Sequence, residues 1–201
     1  MTSQKLPNIL KIVTDNLTKD QVPYSLIGAL ALGLYGLPRF TADIDLLTEG
    51  RFWSLISRTM ERLGYTCYQK TKSFAQFDSE LGVLGKIDFM FVNTQEGRDI
   101  LKRSVLVNNE LMGNHPVIQP TDYITLKLMA IANNPDRCSK DEGDILTVFK
   151  LYKKGAMPDN FTALEIDRVY PFAERFGLRT KLQEYFDRIF HASDDIGPFE
   201  L

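Results

Sequence analysis

The stretch Arg39-Phe40-Thr41-Ala42-Asp43-Ile44-Asp45-Leu46-Leu47 decides the fold. A β-strand alternates its faces with period two, so a strand opening at Asp43 sets the carboxylates of Asp43 and Asp45 on one face and Ile44 on the other. Aspartate is depleted in strands. Two carboxylates beside Ile44, Leu46 and Leu47 repel each other and lose hydration unless a cation stands between them. A divalent metal supplies that cation. The plainer alternatives are a polar strand end, or a cap for the helix that starts near Arg51.

Downstream, Asp88 is the one acid within Lys86-Ile87-Asp88-Phe89-Met90-Phe91-Val92, a strongly β-forming run. Three carboxylates on adjacent strands suit Mg²⁺, which takes hard oxygen ligands and keeps waters and phosphates in its other positions. Two such ions can clamp the attacking and leaving oxygens of a phosphoryl-type displacement, and Mn²⁺ can substitute. Taken alone, Asp88 reads as a surface acid near Lys86. Upstream, a strand over residues 22–27 turns through Gly28-Ala29 into a small-residue helix over 29–35. Backbone N–H groups at such a turn can hold phosphate oxygens; the alternative is that Gly28 only permits a tight turn.

Around this centre the periodicity predicts a helix over 6–17, a strand over 43–47 and a helix over 51–63, then strands over 65–69, 74–77 and 86–92. After Pro116 and Pro120 four helical segments follow, over 121–133, 139–153, 161–176 and 178–190. The expected fold class is α+β: a mixed β-sheet flanked by helices over residues 1–118, then a helical module over 119–201. The tail at 193–198 reads as loose.

Composition excludes several classes. Lys and Arg number 24 against 26 Asp and Glu, a net charge of −2, so nothing here coats a polyanion by bulk attraction. The N-terminal segment is too polar for the apolar core of a signal peptide. The longest apolar run, 26–37, contains three glycines and falls short of the roughly 17–25 residues of a membrane-spanning helix. The expectation is a cytoplasmic protein without membrane association. Cys67 and Cys138 have no second pair and no nearby histidine, which argues against a disulfide scaffold or a zinc site. Serine-hydrolase, P-loop and dinucleotide fingerprints are missing, and His115 and His191 stand near no candidate nucleophile.

Gly28-Ala29, then 13 residues, then Asp43-Ile44-Asp45, then a later strand with Asp88, resembles the nucleotidyltransferase signature of the DNA polymerase β type. The fuller string from Leu26 to Leu46 is most similar to the AbiEii-type minimal nucleotidyltransferases, the toxins of type IV toxin–antitoxin pairs. Pro120-Thr121-Asp122 and Lys127-Leu128-Met129-Ala130 resemble that family's Pro-x-Asp and Lys-Leu-x-Ala segments, and Lys140-Asp141 with Asp144 its Lys-Asp-x-x-Asp segment. Coverage is about residues 20–150. The wider superfamily usually carries Gly-Ser or Gly-Gly at Gly28-Ala29. Ala29 has no hydroxyl for a triphosphate, which leaves backbone donors.

The resemblance implies transfer of an NMP from a nucleoside triphosphate to a hydroxyl of RNA, tRNA in particular, or of a protein. Asp43, Asp45 and Asp88 would hold two Mg²⁺ ions, and Asp88 would help deprotonate the acceptor. Gly28, Ala29, Arg39, Thr41 and Lys127 would bind the nucleotide, Asp141 would orient Lys127, and Arg137 would fill a basic position. An antitoxin protein is an implied partner. Four residues also carry readings of their own. Lys127 lies in an apolar helix where its ammonium needs a partner or snorkels to water, Arg39 reads as a phosphate ligand or a solvated loop residue, and Ser139 with Glu142 reads as a capping box. Arg51, Arg58, Arg62, Lys70 and Lys72 form an acceptor surface or simply a solvated face. The alternatives to this function are a small-molecule (antibiotic) nucleotidyltransferase, or a non-catalytic nucleotide- or protein-binding module on the same fold.

Overall fold

A computed structural model describes residues 5–79, 84–134 and 138–191. The chain forms two compact units, Met1–Gln119 and Pro120–Leu201.

In the first unit the amphipathic helix α1 (Lys5–Lys19) buries Ile9, Leu10, Val13 and Leu17. Strand β1 is only Ser25–Leu26, shorter than expected. Pro23 has no N–H for a ladder, and its carbonyl accepts instead from the Thr48 hydroxyl at 2.6 Å. Helix α2 (Gly28–Leu34) follows at once, then β2 (Asp43–Glu49), a 3-10 turn Gly50–Phe52 and α3 (Trp53–Arg62). Strands β3 (Tyr65–Lys70), β4 (Phe74–Ser79) and β5 (Lys86–Val92) come next. Helix α4 (Gln95–Lys102) is capped by Thr94, whose hydroxyl accepts from Gly97 N. A hairpin of β6 (Val105–Asn109) and β7 (Gly113–Val117) completes the unit.

These strands make one mixed seven-stranded sheet in the order β3-β4-β5-β2-β1-β7-β6. Strand β2 runs parallel to β5 and antiparallel to β1. The sheet's two faces differ in chemistry. Ile44, Leu46, Ile87, Phe89, Ala75 and Phe77 are buried, and Trp53 of α3 packs on Phe77 and Phe91 with centroids 6.0 and 6.1 Å apart. The opposite face of β2, β5 and β4 carries Asp43, Asp45, Lys86, Asp88, Gln76 and Asp78.

The second unit is helical: α5 (Pro120–Asn133), α6 (Cys138–Lys153), α7 (Ile166–Arg175) and α8 (Arg179–Phe190). Pro120 takes the first position of α5, where a missing N–H costs nothing. Phe149 of α6 packs edge-on against Phe186 and Phe190 of α8 at 5.7 and 5.8 Å. Two expectations are corrected. Helix α7 starts at Ile166 rather than 161, with Phe161 buried in the segment before it. Helix α6 already runs from Cys138, so Ser139 lies inside its first turn and caps nothing, and Glu142 accepts from Tyr185 instead. Arg137 and the tail at 193–198 lie outside the described residues. Among those residues no helix is long and apolar enough to cross a membrane.

Candidate active site

The parallel register of β2 and β5 pairs Asp45 with Asp88, and Asp43 with Lys86 one step earlier on the same face. All three acids are half-buried on that face. Neighbouring strands lie about 4.8 Å apart, so Asp45 and Asp88 are as close as the sheet allows. Each carboxylate is held in its own way. That of Asp45 lies against the Cα of Gly28, where a β-carbon would stand 2.0 Å from Oδ2. Oδ2 of Asp88 accepts from Gln76 Nε2 at 2.9 Å, Gln76 being its register partner on β4. Among the described residues no group of three or more His, Cys, Asp or Glu side chains is gathered to hold a metal. The donor set nonetheless suits a hard divalent cation, being all oxygen and confined to one face.

The approach to β2 is fixed locally. The Thr41 hydroxyl donates to the Asp43 carbonyl at 3.0 Å and accepts the Asp43 N–H at 3.2 Å, a turn that sets where the strand begins. Thr41 is thereby engaged with backbone. Arg39 is exposed, and Phe40 beside it is 94% exposed. Gly28 has φ +61, a conformation costly for any residue with a β-carbon, and Ile27 N donates to the Asp45 carbonyl at 3.1 Å, tying the turn to β2. Ala29 is buried, leaving only its backbone for a ligand.

Sequence reasoning passed over two neighbours of the acids. Gln76 alternates with the buried Ala75 and Phe77, and that alternation was its signal. Tyr68 sits in the irregular stretch of β3, half-exposed, with Lys86 Nζ over its ring at 5.6 Å. Partial burial and then the Asp88 carboxylate push its phenol above the ordinary value. The proposed basic surface is largely self-satisfied: Arg51 pairs with Glu49 at 2.9 Å, Arg62 with Asp20 at 2.9 Å, and Lys70 lies over the Trp53 ring.

In the helical unit, Lys127 Nζ stands 2.7 Å from Asp141 Oδ1 and 2.6 Å from Asp144 Oδ2. The side chains are 14, 1 and 9% exposed, so Lys127 does not snorkel. The Tyr123 hydroxyl donates to Asp144 Oδ2 at 3.1 Å, and Lys127 lies over the Tyr123 ring. Two carboxylates share one ammonium, and Asp141 Oδ2 is buried without a hydrogen-bond partner among the described residues. Asp122, also buried, has Arg168 of α7 at 3.4 Å, a partner with no motif to announce it.

No protein-family profile and no curated protein matches this chain. Solved structures do. ANT(2")-Ia in complex with adenylyl-2"-tobramycin superposes with a TM-score of 0.59 at 13% identity, covering 87% of this chain and 98% of that one. The chain has the nucleotidyltransferase fold. The lincosamide antibiotic adenylyltransferase LnuA, lincomycin-bound, gives 0.52 at 16% identity over 70% of this chain and 94% of that one. An antigenic nucleotidyltransferase-like protein from Paracoccidioides brasiliensis gives 0.53 at 14% identity over 95% and 99%.

Proposed function

We propose that the protein transfers a nucleotidyl group from a nucleoside triphosphate to a hydroxyl acceptor and releases pyrophosphate. One observation carries the reading: Asp43 and Asp45 share one sheet face with Asp88 in parallel register, on a nucleotidyltransferase fold. Asp43, Asp45 and Asp88 would hold Mg²⁺, which when bound neutralises the triphosphate and polarises the reacting phosphorus. Asp88, steadied by Gln76, is the one of these three acids on the strand that pairs with β4 and would take the acceptor's proton. The backbone turn at Gly28-Ala29, Arg39 and the Thr41 loop would receive the triphosphate, with Lys127 as a further positive charge held by Asp141.

For the acceptor, two readings have separate support. The resemblance to AbiEii-type proteins favours RNA, tRNA above all, or a protein hydroxyl, with a toxin role and an antitoxin partner. The likeness to two antibiotic adenylyltransferases favours a small antibiotic. The test is a labelled-triphosphate transfer assay with Mg²⁺ or Mn²⁺ against total RNA, protein and an antibiotic panel, run on the wild type, Asp43→Asn and Asp45→Asn. Metal-dependent labelling that both variants lose by at least about a hundredfold supports the mechanism. Undiminished labelling in both variants ends it, and nucleotide binding without transfer to any acceptor points to a non-catalytic module.

A further inference from the structure

The first residue of α6 and the third of α8 meet at a separation that a hydrogen bond does not explain. Lys181 Nζ stands 2.7 Å from Cys138 Sγ. That distance is at the short end of the range for N–H···O bonds, and sulfur is the larger atom, so a nitrogen donating to it sits farther out. The interval is the one a single oxygen bonded to both atoms would span. A second observation concerns the lysine. Among the described residues no carboxylate lies within ion-pair distance of Lys181. On α6, Glu142 is taken by the Tyr185 hydroxyl at 3.2 Å and by Arg188 at 3.6 Å. The thiol sulfur is thus the polar partner of this ammonium. Cys138 and Lys181 are both only half-buried, so a small oxidant reaches the sulfur.

We propose that Cys138 and Lys181 are the two ends of a reducible covalent bridge in which one oxygen atom joins the lysine nitrogen to the cysteine sulfur, formed with dioxygen as oxidant. The step balances. The Lys181 ammonium releases one proton to solvent, and one oxygen of O₂ forms the N–O and O–S bonds. The other leaves as water, carrying the thiol hydrogen and one amine hydrogen. Nitrogen and sulfur each give up two electrons, and the two oxygen atoms take the four. Dithiothreitol attacks at sulfur, as in thiol–disulfide exchange; the O–S bond breaks, Lys181 leaves as its N-hydroxylamine, and the second dithiothreitol thiol closes on the mixed disulfide to free the Cys138 thiol. The bridge ties α8 to the first turn of α6, the turn that carries Asp141, the partner of Lys127. Oxidation therefore fixes the turn that holds the lysine.

The test is intact mass spectrometry on the full chain, prepared reduced, freed of reductant, then kept anaerobic or equilibrated with air. The expected result in air is a gain of about 14 Da, one oxygen in and two hydrogens out. Proteolysis should give one joined product containing Cys138 and Lys181, and dithiothreitol should return Cys138 to alkylation. Cys138→Ser and Lys181→Arg should both stay at their reduced masses. A wild type that remains at its reduced mass in air overturns the proposal. So does the same gain in Lys181→Arg, or a gain of one whole oxygen, about 16 Da, on Cys138 alone.

Discussion

The carboxylate of Asp45 rests on the bare Cα of Gly28, with Oδ2 only 2.0 Å from where a β-carbon would be. The residue that turns the chain from β1 into α2 is therefore also the residue that makes room for one of the candidate metal ligands. Gly28→Ala meets both constraints at once. The φ of +61 alone costs an L-residue about 1–2 kcal/mol, and the methyl must also push the Asp45 carboxylate aside. The expected outcome is a lower urea midpoint and a loss of nucleotidyl transfer larger than the stability change explains. Transfer at wild-type rates in a folded Gly28→Ala protein would show that the position of Asp45 is immaterial.

Phe40 separates binding from stability. A phenyl ring 94% exposed contributes nothing to the core, so Phe40→Ser is expected to leave the unfolding free energy from urea titration within about 0.5 kcal/mol of wild type. It stands three residues before Asp43 on the loop that Thr41 pins, and base–aromatic stacking is worth about 1–3 kcal/mol. Steady-state kinetics should then show KM for nucleotide or acceptor rising severalfold with kcat little changed. Unchanged KM values would remove the loop from the binding surface.

The centre of the fold was legible because its signals are local. Asp43-Ile44-Asp45 and Lys86–Val92 carry their alternation in plain sight, and β5 runs over the residues expected of it. The hairpin of β6 and β7 was not legible. Gly113, Asn114 and Pro116 are poor strand formers, and β7 holds its place by tertiary pairing with β6 and β1. Its one local mark is Asn109, whose side-chain oxygen accepts from Leu111 N and Met112 N, each at 3.0 Å. Among the candidate residues, the acids of the sheet unit and Lys127 of the helical unit were visible as types out of place in apolar surroundings. Gln76, Tyr68 and Arg168 look ordinary in sequence and matter only through register or helix packing, which no local pattern encodes.

His115 gives the sheet unit a pH dependence of known sign. It is buried, with Nε2 2.7 Å from the Met112 carbonyl and Nδ1 3.0 Å from the Tyr24 hydroxyl. That geometry suits a neutral ring, Nε2 donating to the carbonyl and Nδ1 accepting from the phenol. Desolvation by burial holds its pKa below the ordinary 6.5, partly offset by the Met112 carbonyl. The unfolded chain therefore takes up the proton first. The contribution to stability is full above 6.5 and is lost as pH falls through that value towards the folded pKa. Urea midpoints measured between about pH 5 and 7.5 should fall with acid in the wild type and fall less in His115→Gln. Equal slopes for the two proteins would exclude His115 as the source.

The Lys127 cluster makes the sharpest stability prediction, because its acids outnumber its base. Lys127→Met leaves Asp141 and Asp144 buried without the ammonium they share, and breaking a buried pair from one side typically costs about 3–5 kcal/mol. Asp141→Asn in the Lys127→Met background removes one of the two charges. It should recover part of that loss, whereas Asp141→Asn alone should destabilise. A double-mutant cycle by urea unfolding measures this coupling, expected at about 1–3 kcal/mol. Tyr123→Phe, which removes the hydroxyl that donates to Asp144, should cost about 1 kcal/mol. A Lys127→Met protein within about 1 kcal/mol of wild type would mean that the carboxylates find compensation elsewhere, and that the lysine is held there for binding and not for folding.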